Sequence, residues 1–195
     1  MHTESHPLQP FLPNHARVLM LGSFPPPRAR WSMDFFYPNF NNDMWRVMGE
    51  VFFNDKDKFV DTVQHTFHLP MLCAFLEEKG IALYDTATEV RRLRQNASDK
   101  FLEVAVPTDI PAMIRRLPLL RAVVTTGQKA SETLAETLVP FCVSSPPPVG
   151  SSLPFVIDER TLRFYRMPST SRAYPLPLLK KASAYATMFR ELGLL

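Results

Sequence analysis

The chain has 195 residues and a mass of 22.3 kDa, with 46% hydrophobic and 21% charged residues, which is enough to bury a core and excludes a disordered chain. Lys and Arg number 22 against 19 Asp and Glu, so the net charge of +3 permits a polyanionic partner without demanding one. Two cysteines, Cys73 and Cys142, exclude a disulfide framework, a thiolate metal site and an iron–sulfur cluster, and no run reaches the roughly 18 apolar residues of a membrane-spanning helix.

Residues 1–15 are polar and punctuated by proline, and read as an arm laid over one domain formed by residues 16–195. The arm has no basic start followed by an apolar stretch, so a signal peptide is not expected and a cytoplasmic setting is. ARVLMLG, residues 16–22, is a continuous apolar run ending at Gly and Pro, the pattern of a buried strand that feeds a loop. The loop, residues 23–42, is long and rich in Pro, Arg, aromatics and Asn, and loops of this length inside a compact domain are usually functional. With 19 Pro against 6 Gly in the chain, such loops are expected to be stiff.

A helix is predicted from about Asp43, with Trp45, Met48 and Phe52 on one face. Helical patterning continues in residues 57–67 and 69–80, with Gly80 as a stop. IALYD, residues 81–85, is a second buried strand, and residues 86–101 are polar and basic and read as surface. Thr108 or Asp109 can cap a short helix through Arg116 that has Pro111 in its first turn. LRAVVTT, residues 120–126, is a third strand, and Gly127 opens an amphipathic helix. Residues 144–154 form a Pro/Ser loop; FVIDE and LRFYRM follow as paired strands, then a rigid polar loop. The last helix carries Leu178, Ala182, Tyr185, Phe189 and Leu192 at helical spacing. Strands alternating with helices predict an α/β fold in which the loops after Leu21, Tyr84 and Met167 meet at one site.

The first long loop holds Phe24, Trp31, Phe35, Phe36, Tyr37 and Phe40 together with Asn39, Asn41 and Asn42. Rings offer stacking faces, and Asn amides pair a donor with an acceptor, which suits the edge of a nucleobase. Any one ring is more simply core, but Asn is costly in a buried loop unless each amide is satisfied. The last loop, Pro168, Ser169, Thr170, Ser171 and Arg172, offers backbone N–H groups, hydroxyls and one guanidinium to a phosphate, or is a plain turn before the final helix. Gly127, Gln128 and Lys129 stand at a strand-to-helix turn where an anion can meet a helix N-terminus. His65 and His68 have a possible metal spacing, without companion ligands, and no metal or cofactor is expected. Arg91, Arg92, Arg94, Arg115 and Arg116 are read as an exposed basic surface. No G-x-S-x-G elbow or Gly-rich phosphate loop is present.

LMLGSFPPP (residues 19–27), FFYPNFNNDMW (35–45), GIALYD (80–85) followed by ASD (97–99), and MPSTSRA (167–173) together resemble the uracil-DNA glycosylase superfamily, closest to its hypoxanthine-DNA (deoxyinosine) glycosylase branch. The resemblance covers roughly residues 16–192. It implies a three-layer α/β/α sandwich around a central, mainly parallel four-stranded sheet. It also implies a monofunctional glycosylase that removes a deaminated base from DNA in base excision repair, acts as a monomer and needs no cofactor. It assigns Asn42, three residues before Trp45, as the catalytic asparagine and Tyr37 as the ring that stacks on the extruded base. Gly22, Ser23, Phe24 and Pro25 fall on the motif beneath that base, and Ser169, Thr170, Ser171 and Arg172 on the loop that grips the phosphates. Phe24 stands where other branches carry a catalytic Asp or Asn, Met167 where the strongest uracil glycosylases carry His, and Tyr174 departs from the small polar residue expected there. The first departure fits the hypoxanthine branch; together they leave a catalytically silent DNA- or nucleotide-binding module on the same fold as the alternative. Asp43 and Asp85 are candidates for a general base that the sequence does not place.

Overall fold

The computed structural model describes residues 3–93 and 101–195; Arg94 and the ASD segment lie outside these residues. In chain order the elements are β1 (Glu4–Ser5), β2 (Val18–Gly22), α1 (Met44–Phe53), β3 (Val60–Asp61), β4 (Thr66–Phe67), α2 (Leu69–Lys79), β5 (Ile81–Asp85), β6 (Ala87–Arg92), β7 (Leu102–Pro107), α3 (Ile110–Arg116), β8 (Ala122–Thr126), α4 (Gln128–Thr137), β9 (Ser151–Ile157), β10 (Arg160–Met167) and α5 (Leu178–Glu191). The main sheet has the order β5-β2-β8-β10-β9. Its first four strands run parallel, and β9 returns antiparallel on β10. The expected four-stranded parallel core is therefore present, and β9 extends it to five strands. β9 carries an exposed Pro154, which lacks a ladder donor and is tolerated at a sheet edge.

Every residue of β2, β5 and β8 is buried, so both faces of the central sheet are covered. The apolar faces of α1 and α5 meet each other, with Trp45, Met48, Tyr185 and Phe189 fully buried. Gly80 ends α2 in the left-handed region at φ 66°, as its position predicted. Asp109 is the cap of α3: its Oδ1 accepts from Ala112 N at 2.9 Å.

Two stretches differ from the sequence reading. Residues 57–67 are not helical; they turn back on themselves through β3 and β4, with Val60 opposite Phe67. Asp61 Oδ1 accepts from the backbone N–H of both Val63 and Gln64, a local bond that competes with a helix. His65 and His68 are thus exposed and not on one helix face; His65 occupies a left-handed turn at φ 49°. Residues 86–101 are not simply basic surface, because Ala87–Arg92 is β6, the middle strand of a second sheet β1-β6-β7. Ala87 and Val90 pack there with Phe24 and Leu102 in a small separate core. Register shifts around Glu89 break the two-residue alternation that would have marked the strand.

The arm closes over this second sheet. β1 pairs with β6, His6 N donates to Thr88 O at 2.8 Å, and Phe11 exchanges backbone bonds with Leu83 of β5 at 3.0 and 2.8 Å. No helix among the described residues is long and apolar enough to cross a membrane.

Candidate functional site

The carboxyl ends of β5, β2 and β8 stand side by side, and Gly22 lies opposite Asp85 in the parallel ladder. Above them opens a cavity of about 1050 Å³. Its wall comes from the 23–42 loop, the first turn of α4 and the loop after β10, as expected for ligand sites at parallel strand ends. The loops after Leu21 and Met167 meet there as expected; after Tyr84 there is no loop, since only Thr86 separates β5 from β6, and that segment contributes Asp85. Asn42, Tyr37, Gly22, Ser23, Phe24, Pro25, Ser169, Thr170, Ser171 and Arg172 all line this cavity. Pro168 does not; it is buried behind the loop, where its carbonyl accepts from Tyr185 Oη at 3.0 Å.

Tyr37 sits at φ 49°, a conformation that is costly without glycine. Two contacts hold it: its hydroxyl shares a hydrogen bond with Thr126 Oγ1 at 2.9 Å, and its ring stands perpendicular to Trp45 at 6.0 Å. Burial, and then the nearby Asp85 charge, push its phenol well above the usual value, so the hydroxyl stays neutral. Tyr37 is half-buried and lines the cavity.

The three asparagines divide their work. Asn39 Oδ1 accepts from Asn41 N at 2.9 Å and so shapes the turn. Asn41 is exposed, with Arg172 Nη1 at 3.5 Å from its Oδ1. Asn42 Oδ1 accepts from Met44 N at 2.9 Å in an Asx turn just ahead of α1, whose N-cap residue is Asp43, while its amide nitrogen has no partner among the described residues. This bond fixes the orientation of the amide and leaves its N–H donors for a ligand.

The loop after β10 is tied down from behind. Asp43 N donates to Thr170 O at 2.9 Å, and Lys181 Nζ donates to Ser171 O at 2.8 Å and to Asp43 Oδ2 at 3.0 Å. Lys181 is 1% exposed and Asp43 6%, so this is a buried pair, and Asp43 does not line the cavity. Arg172 Nε reaches Asp43 Oδ1 at 3.2 Å, but about half its side chain is open to solvent. Arg30 and Lys129 also border the opening, together with Gln128 at the start of α4. The loop and its neighbours thus set three cations and one helix N-terminus around one mouth.

Asp85 is the floor carboxylate that the sequence left unplaced. It is 6% exposed, lines the cavity, and receives His6 Nε2 at 2.9 Å on Oδ2. A Cβ on Gly22 would overlap Asp85 Oδ1. Gly22→Ala is therefore expected to displace the carboxylate or part the strands, lowering stability by about 1–3 kcal/mol; a thermal melt against the wild type measures this. Sequence reasoning did not single out His6, Thr126 or Arg30. Each belongs to the site through tertiary contact, and none stands in a local pattern that announces it. Phe24 packs edge-on to His6 at 5.2 Å and contributes an apolar wall to the cavity.

No family model matches the chain, and no curated protein matches it. A solved structure does: the solution structure of a "putative Uracil DNA glycosylase" from Methanosarcina acetivorans. The two superimpose with a TM-score of 0.63 at 19% sequence identity, over 98% of this chain and 99% of the other. The chain has that protein's fold. It is an α/β fold of uracil-DNA glycosylase type, and the cavity lies at the carboxyl ends of the parallel strands, where open α/β sheets in general place ligands.

Proposed function

We propose that the chain is a monofunctional DNA glycosylase of base excision repair, working as a cytoplasmic monomer on deaminated bases, with hypoxanthine preferred and uracil in mismatches second. One observation carries this reading. A single cavity gathers a held aromatic ring, an amide with free donors and a cation-rimmed hydroxyl loop, which are the parts a base-flipping enzyme needs.

In this reading the extruded base stacks on Tyr37, and the 169–172 loop with Arg172 holds the flanking phosphates. Cleavage of the N-glycosidic bond leaves positive charge on the sugar and negative charge on the departing base. An asparagine does not deprotonate water at neutral pH. Asn42 instead acts through fixed dipoles: its N–H groups stabilise an oxygen of the leaving base, and the second lone pair of Oδ1 can hold the attacking water. Among the described residues Lys129 borders the cavity, at the start of α4, and no motif marks it for Schiff-base chemistry, so release of the base by water is the expected outcome.

Tyr37 supplies a graded test. Tyr37→Ala is expected to weaken binding of the extruded base by about 1–3 kcal/mol through lost stacking. Tyr37→Phe keeps the ring and loses only the Thr126 bond, about 1 kcal/mol of stability. The KM for base release and a thermal melt separate the two.

Labelled oligonucleotides carrying one hypoxanthine or one uracil, each opposite several bases, test the function. Alkali-labile sites should form fastest with hypoxanthine. DNA binding that weakens with salt and is never followed by an abasic site would favour the silent binding module.

A further inference from the structure

We infer that His6, on the arm, is a positioning residue that fixes the Asp85 carboxylate as an acceptor at the cavity floor, where it takes the ring N–H of an extruded deaminated base. The inference rests on the proposed function and deepens it.

The geometry around His6 is specific. Its side chain is 2% exposed, and its ring lies 4.6 Å from Tyr84 and edge-on to Phe24 at 5.2 Å. Nε2 faces Asp85 Oδ2 at 2.9 Å. Nδ1 lies 3.1 Å from Leu8 N and 3.0 Å from Leu8 O. A neutral ring accepts from Leu8 N–H, and an imidazolium donates to Leu8 O. In both states Nε2 keeps its proton and donates it to Asp85. The arm thus holds one carboxylate oxygen whatever the charge of the ring, and Asp85 Oδ1, against Gly22, is left for the cavity.

The chemistry of deamination gives this acceptor a purpose. Adenine N1 and cytosine N3 are acceptors. Deamination turns them into N–H donors, on N1 of hypoxanthine and N3 of uracil. An ionised carboxylate only accepts, so it welcomes the product of deamination and repels the parent base, which would leave a buried acceptor unpaired.

The groups around the pair are few. Tyr37 and Tyr84 face Asp85, and burial pushes both phenols up, so they stay neutral on the acid side. Farther along the arm, Glu4 is paired with Arg92 at 3.0 Å. His6 is thus the one side chain among the described residues that donates a hydrogen bond to the Asp85 carboxylate.

The test compares kcat and KM for hypoxanthine release by the whole wild-type chain, His6→Gln and His6→Ala. Gln can present an N–H to Asp85 and should retain the wild-type values. In His6→Ala the carboxylate is free to turn, and kcat/KM should fall about tenfold, as for one lost hydrogen bond to a charged group. An unchanged kcat/KM in His6→Ala, or an equal loss in His6→Gln, would overturn the inference. A readout independent of catalysis is the His6 ring N–H proton signal: slow to exchange in the wild type and lost in Asp85→Ala. Its absence from the wild type would also overturn the pairing. Should the wild type release no base, the proposed function fails and the reading role with it, and the ring N–H signal alone judges the pair.

Discussion

Replacing Asn42 with alanine is expected to slow base release by about 10² to 10³-fold, the usual loss when a preorganised dipole is removed from a reacting centre. The same change removes the Asx-turn bond to Met44 N at the start of α1 and costs about 1 kcal/mol of stability. Asn42→Asp separates the two effects. A carboxylate still accepts from Met44 N and sits favourably at a helix start, so stability should return. It has no N–H to give the leaving base, so base release should stay low. Single-turnover rates and thermal melts on the three proteins measure this directly. Recovery of the rate in Asn42→Asp would mean that the residue works through its oxygen alone.

The second large effect is structural. Lys181 is buried, donates to Asp43 and Ser171, and holds the loop that carries Thr170 and Arg172. Lys181→Met fills similar volume but leaves Asp43 with only the half-exposed Arg172. Breaking a buried pair from one side typically costs about 3–5 kcal/mol, or roughly 6–20 °C in Tm for a chain of this size. The double variant Asp43→Asn/Lys181→Met should recover much of that loss, because no buried charge is then left alone. Both variants should bind DNA less well than the wild type, since neither keeps the Lys181 bonds that tie the 169–172 loop and Asp43 to α5.

How much of this was legible in the sequence follows from which interactions are local. The runs in residues 18–22, 81–85 and 122–126 are apolar throughout because both sides of those strands are covered, and that pattern needs no neighbour to be read. The stop at Gly80 and the cap at Asp109 are likewise local chemistry. β6 was not legible: it is half exposed, rich in Arg and Glu, and bulged, so its alternation is broken. β3 and β4 were read as helix because Phe59, Val60 and Phe67 are spaced ambiguously, and the Asp61 turn decides the matter. At the site, Tyr37, Asn42 and the 169–172 loop could be singled out from composition and resemblance. The bond from Met44 N to Asn42 Oδ1 is an Asx turn two residues long and could have been read locally; that Asp43 belongs to Lys181 and that His6 holds Asp85 arise only when distant segments meet.

The most direct test of the glycosylase reading is chromatographic detection of the free base. Wild-type protein is incubated with a duplex carrying a single hypoxanthine, without alkali, and small molecules are separated from DNA. The account predicts free hypoxanthine equal in amount to the abasic sites formed, on an unbroken strand. Strand breakage before alkali treatment would contradict the monofunctional mechanism, and DNA binding with no free base from either hypoxanthine or uracil substrates would contradict catalysis altogether.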